Sequence, residues 1–395
     1  SGLLLSTWGD EDNQLWSVSV STEAVRDCGP LVAAKWESCG SLLAESEAEL
    51  FLQLPEPVAV RITSGPSQLA PEGDIATLSG ISMASSGSFS VVVDFVDPTT
   101  GAQTTRDFSG DARTSLATSA VACTTVSFNT VGVTASSCGA GTSFTVTAAV
   151  DLGSFGEMSS DEHLVTLVTF HSLQLRLDAY PAGPTDVTTM LKIQCADVYQ
   201  RAKPHVTATL STGATYTVTG HSTFVSSISD TVSTIGSGSS AVFSGVAAGT
   251  AVMVASFAGA SATANLTVDD QATAEFASLS LSIANVLYGE SGSTFGSTLA
   301  VTLDDGTVYS SLHDLDWLDP TAIVSYTTDQ TSAVSINAAG DLTLLNNHWE
   351  LVTANAGTTC APIINATANF APNLAVPFRG VDLGANDGLQ FSVNS

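Results

Sequence analysis

An alternating strand, a glycine turn and a second alternating strand occur twice in the same spacing, as Val206-Thr-Ala-Thr-Leu-Ser-Thr-Gly-Ala-Thr-Tyr216 and Leu299-Ala-Val-Thr-Leu-Asp-Asp-Gly-Thr-Val-Tyr309. A fainter copy runs from Phe89 to Gly101 and on through Ala102 to Phe108. Gly213 and Gly306 supply the positive φ of a tight hairpin, and the period-two alternation turns one side of each strand toward a core. The repeat therefore constrains the chain to a series of similar β-units. Later core strands recur too, at Thr142–Asp151 and Thr250–Phe257, each just after a glycine.

Val150-Asp-Leu-Gly153 recurs as Val381-Asp-Leu-Gly384, with Val268-Asp-Asp270 at the matching point between them. A fresh strand follows each: Leu173–Leu177, Leu279–Ile283 and Leu389–Val393. These marks place domains at 58–153, 166–270 and 273–384, with 385–395 as the start of a following domain. Residues 1–57 read as the end of a preceding domain or a linker with a short disulfide loop. Within them, 31–50 is the one stretch suited to a helical turn or two. Short strands every 8 to 12 residues, separated by Gly, Asp and Ser turns, predict an all-β chain of tandem immunoglobulin-like β-sandwich domains. A β-solenoid is excluded, because solenoid coils repeat every few dozen residues at most.

At 395 residues the chain has room for three such domains. Charged residues make up only 12%, so Ser, Thr, Gly and Asn must supply most of the polar surface. Against 38 acidic residues stand 10 basic ones, a net charge of -28 that repels nucleic acid and anionic lipid. No apolar run approaches the roughly 20 residues that span a bilayer, so no transmembrane segment is expected in this stretch. The absence of an initiating Met and the strand-like ending are expected of a piece cut from a longer polypeptide.

The six cysteines are Cys28, Cys39, Cys123, Cys138, Cys195 and Cys360. The first four fall into two short-range couples, Cys28 with Cys39 and Cys123 with Cys138, whose closure contributes roughly 3 kcal/mol each in a chain-entropy account. Disulfides imply an oxidising compartment. Cys195 and Cys360 stay open: a bridge between neighbouring domains, a link to another chain, or buried free thiols.

Thr331-Ser-Ala-Val-Ser-Ile336 followed by Gly340-Asp-Leu-Thr-Leu344 resembles the bacterial Ig-like group 2 (BIG2) pattern, with Trp349–Ala354 as its closing strand. The second domain keeps Ser229–Ile235 and Val242–Val246 without the glycine before the second strand, and the first domain departs further. The tandem array and Thr105-Arg-Asp-Phe-Ser-Gly-Asp-Ala-Arg113 also look like the mastigoneme-type proteins of algal flagella. That resemblance implies a hair-like extracellular filament, on the cell surface or ciliary surface.

Candidate sites are few. Asn265-Leu-Thr267 and Asn365-Ala-Thr367 are N-glycosylation sequons, and Leu266 and Val268 should face the core while Asn265 faces solvent. Asp269-Asp270 sits at a domain junction where calcium could bind, but no EF-hand spacing exists, and Asp304-Asp-Gly306 reads as a hairpin turn. The histidines are scattered and HExxH, GxSxG and P-loop motifs are missing, so no enzyme and no cofactor are expected. Trp317 and His348-Trp349 read either as sandwich core or as aromatic contact between domains, subunits or glycans. The leading expectation is a structural segment of an extracellular filament or surface appendage, partnered by copies of itself or by adjoining domains of one long chain. The alternative is an adhesin or glycan-binding surface protein that uses the domains as a stalk.

Overall fold

The computed structural model describes residues 55–98, 100–134 and 142–375, and the backbone of three strands within the first 48 residues. Those strands, Val18–Ser19, Val32–Ser38 and Ser41–Ala48, form one antiparallel sheet. Within the stretch 31–50, Val32–Ser38 and Ser41–Ala48 are thus paired strands where a helical turn was expected. A helix this short gains little hydrogen bonding for the ordering it requires, whereas two adjacent strands pair locally. The chain divides into two compact units, residues 1–73 with 83–168 and residues 74–82 with 169–395.

In the first unit, Glu56–Ser64, Ser90–Val96 and Gln103–Asp107 form one sheet. The facing sheet is centred on Ser143–Asp151, whose alternating residues Phe144, Val146, Ala148 and Val150 are all buried. Residues 154–165, expected as a junction, instead belong to this sheet. Glu157–Ser159 and His163–Leu167 both pair with Ser143–Asp151. Buried Val165 and Leu167 explain why: their alternation continues the core pattern beyond Gly153.

The second unit contains two sandwiches. The second domain packs the sheet built on Phe170–Tyr180 and Arg201–Leu210 over the one built on Gly249–Phe257 and Ala260–Ala274. Its core holds Leu177, Met190, Phe243, Met253 and Leu266. The third domain begins its first sheet at Phe276–Ser282 and Thr298–Leu303, and its second is built on Val352–Thr358 and Asn365–Leu374. The closing strand is therefore Asn365–Leu374, after a reversal at residues 359–364. The expected boundary at 384 lies outside the described residues.

The repeat read from the sequence is a repeat of register. Ala208 lies opposite Tyr216 and Val301 lies opposite Tyr309, as the aligned segments require. Gly213 and Gly306 take φ of 83° and 88° in the two turns. The segment that resembles the group 2 pattern folds as a hairpin in which Ser335 faces Thr343, turning at Gly340 with φ 82°. One feature common to all three domains had no local signal: a short strand lies parallel to the last strand. Gln68–Leu69, Thr189–Ile193 and Val286–Gly289 pair in parallel with His163–Leu167, Ala260–Ala274 and Asn365–Leu374.

Candidate functional site

The residues following the short parallel strand of the second domain build the most elaborate polar and covalent site in the second unit. Ile193 ends that strand, and its N–H donates to Val198 O at 2.9 Å while Gln200 N donates to Leu191 O at 2.9 Å. The loop 194–200 is thereby folded back on the strand that launches it, with Cys195 at φ 63°. Its apolar side chains point away from their own domain. Ile193 lies within the core of the third domain, and Leu191, Cys195, Ala196 and Val198 pack against that core.

Two buried glutamines make this contact specific. Gln194, 7% exposed, accepts the N–H of Phe276 through Oε1 at 2.8 Å and donates Nε2 to Ala361 O at 2.8 Å. Its own N–H donates to Ala274 O at 3.0 Å. Gln200, 4% exposed, donates Nε2 to Asp305 Oδ2 at 2.7 Å and accepts the N–H of Leu191 at 3.0 Å. A buried amide left unpaired costs about 1–3 kcal/mol, so this matching fixes how the two domains meet. The Asp304-Asp-Gly306 turn does more than reverse the chain: Asp304 Oδ1 accepts the N–H of Glu275 at 3.0 Å, and Asp305 receives Gln200.

Close backbone approach completes the joint. Val308 N donates to Ala182 O at 2.8 Å, and Gly183, at φ 148°, leaves no room for a side chain. A Cβ there would lie 2.8 Å from Thr307 Cα. Beside it, the Arg201 guanidinium sits 4.4 Å from the centroid of the Trp317 ring, which meets Tyr309 edge-on at 6.1 Å. Burial pushes the Tyr309 phenol pKa up, with Asp305 adding to it, and pushes the Arg201 guanidinium down. Arg201 Nε, Tyr309 Oη and Trp317 Nε1 are buried without a hydrogen-bond partner among the described residues, so cation–π and aromatic contact hold this corner. Trp317 packs against the core of the third domain and also meets Arg201 of the second, whereas Trp349 is fully exposed.

A disulfide closes the site. Cys195 is bonded to Cys360, with Cα atoms 5.8 Å apart across 165 residues of sequence. Of the three readings open for this pair, the bridge between neighbouring domains is the one present. Cys123 is buried and disulfide-bonded. Its expected partner Cys138, like Cys28 and Cys39, lies outside the described residues.

The glutamine contact has a counterpart elsewhere in the second unit. Asp74 Oδ1 accepts the N–H of Phe170 at 2.9 Å, as Gln194 accepts that of Phe276. Phe170 and Phe276 are equivalent: each begins its domain, faces Leu210 or Leu303, and precedes a bulge at Ser172 or Ser278. None of Asp74, Gln194, Gln200 or Gly183 carried a signal in the sequence, where they look like ordinary turn residues.

Asn265 and Asn365 both lie exposed on the last strands of their domains, with Leu266 and Ala366 beside them turned inward. Asp269 and Asp270 accept hydrogen bonds from Gln271. Among the described residues no group of three or more His, Cys, Asp or Glu could hold a metal ion, and no helix is long and apolar enough to cross a membrane.

No protein-family model matches the chain, and no curated protein sequence matches it. Among solved structures it is similar to domains 4–9 of the surface layer protein SbsC, at 13% identity and a TM-score of 0.37, over 81% of this chain and 48% of that one. Invasin, a bacterial integrin-binding protein, is similar at 11% identity and a TM-score of 0.23, over 87% of this chain and 64% of that one. The extracellular domain of protocadherin gamma B4 gives 12%, a TM-score of 0.22, and coverage of 94% and 61%. The chain spans about half the length of three of the surface layer chains it matches. At these scores the likenesses carry no argument about activity or partners.

Proposed function

We propose that the chain is a stiff load-bearing segment of an extracellular filament or surface appendage, in which tandem Ig-like domains are fixed to one another rather than strung on flexible linkers. The observation that carries this reading is the Cys195–Cys360 bridge between the second and third domains, set among the buried Gln194 and Gln200 contacts. A joint held by a covalent bond and specific buried hydrogen bonds resists bending, which a catalytic or signalling module would not need. The disulfide also supports an oxidising, extracellular location. The finer reading, a hair-like ciliary appendage of mastigoneme type, rests on the Thr105–Arg113 resemblance and belongs to the same proposal.

Electron microscopy of native surface material labelled with an antibody to this segment tests it. Label spaced regularly along fibres is the expected result, and label confined to isolated surface stalks would overturn it. The stalk alternative draws on one observation, the fully exposed Trp349 with exposed Leu351 beside it, a pair suited to contact with a glycan or protein.

A further inference from the structure

The first domain differs from the other two at the position where they are held. Pro57 faces Phe95 and precedes a bulge at Ala59, so it stands where Phe170 and Phe276 stand in the later domains. Those two phenylalanines donate their N–H groups to Asp74 and Gln194. Proline has no N–H to give. Next to it opens a cleft of about 300 Å³, whose lining includes Pro57, Phe95, Phe108 and Phe155 together with Arg106 and Arg113. Phe155 is 50% exposed there.

Arg106 lies opposite Val93, the ladder position that Tyr309 holds opposite Val301. In the third domain that corner is filled: Tyr309 shares a core cluster with Ile193, and Leu191, Cys195 and Ala196 pack against it. The cleft of the first domain is thus the same corner with no loop from the described residues in it. Arg113 is held by two hydrogen bonds to Asp111 and lies 5.1 Å from the Phe108 ring centroid. The Arg106 side chain is exposed and makes no hydrogen bond or ion pair among the described residues.

We propose that this cleft is a socket for the Glu290 loop of a second copy of the chain, an inference that rests on the filament reading above. Glu290 follows directly on the short parallel strand Val286–Gly289, as Gln194 follows on Thr189–Ile193. It is exposed, and Tyr288 beside it is 69% exposed. The chemistry is complementary at each end. A carboxylate replaces the amide of Gln194, and a guanidinium replaces the missing backbone N–H. Tyr288 supplies an aromatic ring to a cleft whose lining includes phenylalanine. On a chain of net charge -28 an acidic loop is repelled over most of the surface, and Arg106 is a local exception. Because the socket and the loop are different surfaces, each copy offers both halves of the contact, and a single contact leaves one socket and one loop open to further copies.

Charge exchange at constant ionic strength tests the proposal on the disulfide-intact chain. Sedimentation velocity should show concentration-dependent association of the wild type, and at least tenfold weaker association of Arg106→Glu and of Glu290→Arg separately. An equimolar mixture of the two variants should associate again, since each then offers the other a matched pair. Circular dichroism unchanged from wild type establishes that both variants are folded. A wild type that stays monomeric, variants that associate like wild type, an effect at Arg106 without one at Glu290, or a mixture that is not rescued would each overturn it. Undiminished association of both variants would leave the filament reading standing on another surface, whereas fibre labelling addresses that reading independently.

Discussion

The side-chain oxygen of Gln194 accepts the N–H of Phe276 at 2.8 Å, so one residue of the second domain completes the first strand of the third. Gln194→Ala leaves the buried Phe276 N–H unpaired, whereas the carbonyl of exposed Ala361 can turn to water. The expected loss is about 1–3 kcal/mol for each group that water cannot reach. Urea unfolding followed by tryptophan fluorescence should show a lower midpoint, because Trp317 reports on this joint. An unchanged midpoint would mean that water replaces the amide without cost.

Cys195–Cys360 closes a long loop between domains, which a chain-entropy account values at about 5 kcal/mol. Non-reducing peptide mapping should recover this pair together with Cys28–Cys39 and Cys123–Cys138. Replacing Cys195 and Cys360 together by Ala should lower the melting temperature of the third domain measurably and leave the first domain unaltered. Recovery of Cys28 linked to Cys123 would refute the short-range couples.

Asp94 and Asp111 should titrate well below the ordinary aspartate value. Hydrogen bonds from Arg61 and then Thr105 hold the Asp94 carboxyl at about 2, and Arg113 holds that of Asp111 at about 2. Folded values below the unfolded one mean that each contributes stability above the ordinary aspartate range, and that this is lost as pH falls through about 2. Both pairs are solvent-exposed, so the gain is small. Carboxyl-carbon NMR should place both midpoints near pH 2 in the wild type and return that of Asp94 toward its ordinary value in Arg61→Gln.

Strands and their pairing were legible because their signal is local. The Tyr216 and Tyr309 copies could be aligned by eye, and each falls opposite the expected partner. The third copy was faint for a physical reason: Arg106 occupies the tyrosine position and the intervening loop is longer. The junction was not legible. Gln194, Gln200 and Asp305 are polar residues in turn-like surroundings, and nothing in their neighbourhood reports burial against another domain. The parallel strands were missed because their partners lie about 80 to 100 residues on, and periodicity carries no information about partners. The stretch 31–50 misled because its Ala, Glu and Leu content favours helix, while pairing between neighbouring strands decided the outcome.

Asn265 and Asn365 present their side chains to solvent on the last strands of the second and third domains. Expressed through a eukaryotic secretory route, the chain should carry glycans at both, removed one at a time by Asn265→Gln and Asn365→Gln in intact-mass spectra. Asn365 Oδ1 lies within 2.5 Å of where a Gly357 Cβ would stand, so Gly357→Val should crowd Asn365 and reduce its occupancy selectively. Equal occupancy in that variant would show that the side chain swings clear.

The second and third domains should behave as one rigid body in solution, and Gly183 gives a way to break that rigidity without touching the disulfide. A valine at 183 must displace the backbone of Thr307, and the φ of 148° adds strain that a β-branched residue tolerates poorly. The atoms nearest to it belong to Thr307, Gly306 and Ala179, none of them in the two core clusters, so the damage falls on the joint. Small-angle scattering of the wild type should fit a narrow range of angles between these two domains, and Gly183→Val should broaden it. The Cys195–Cys360 bond still limits how far they separate, so combining Gly183→Val with reduction should broaden the range further than either alone. A wild type as broad as the doubly altered chain would remove the stiffness on which the structural reading depends.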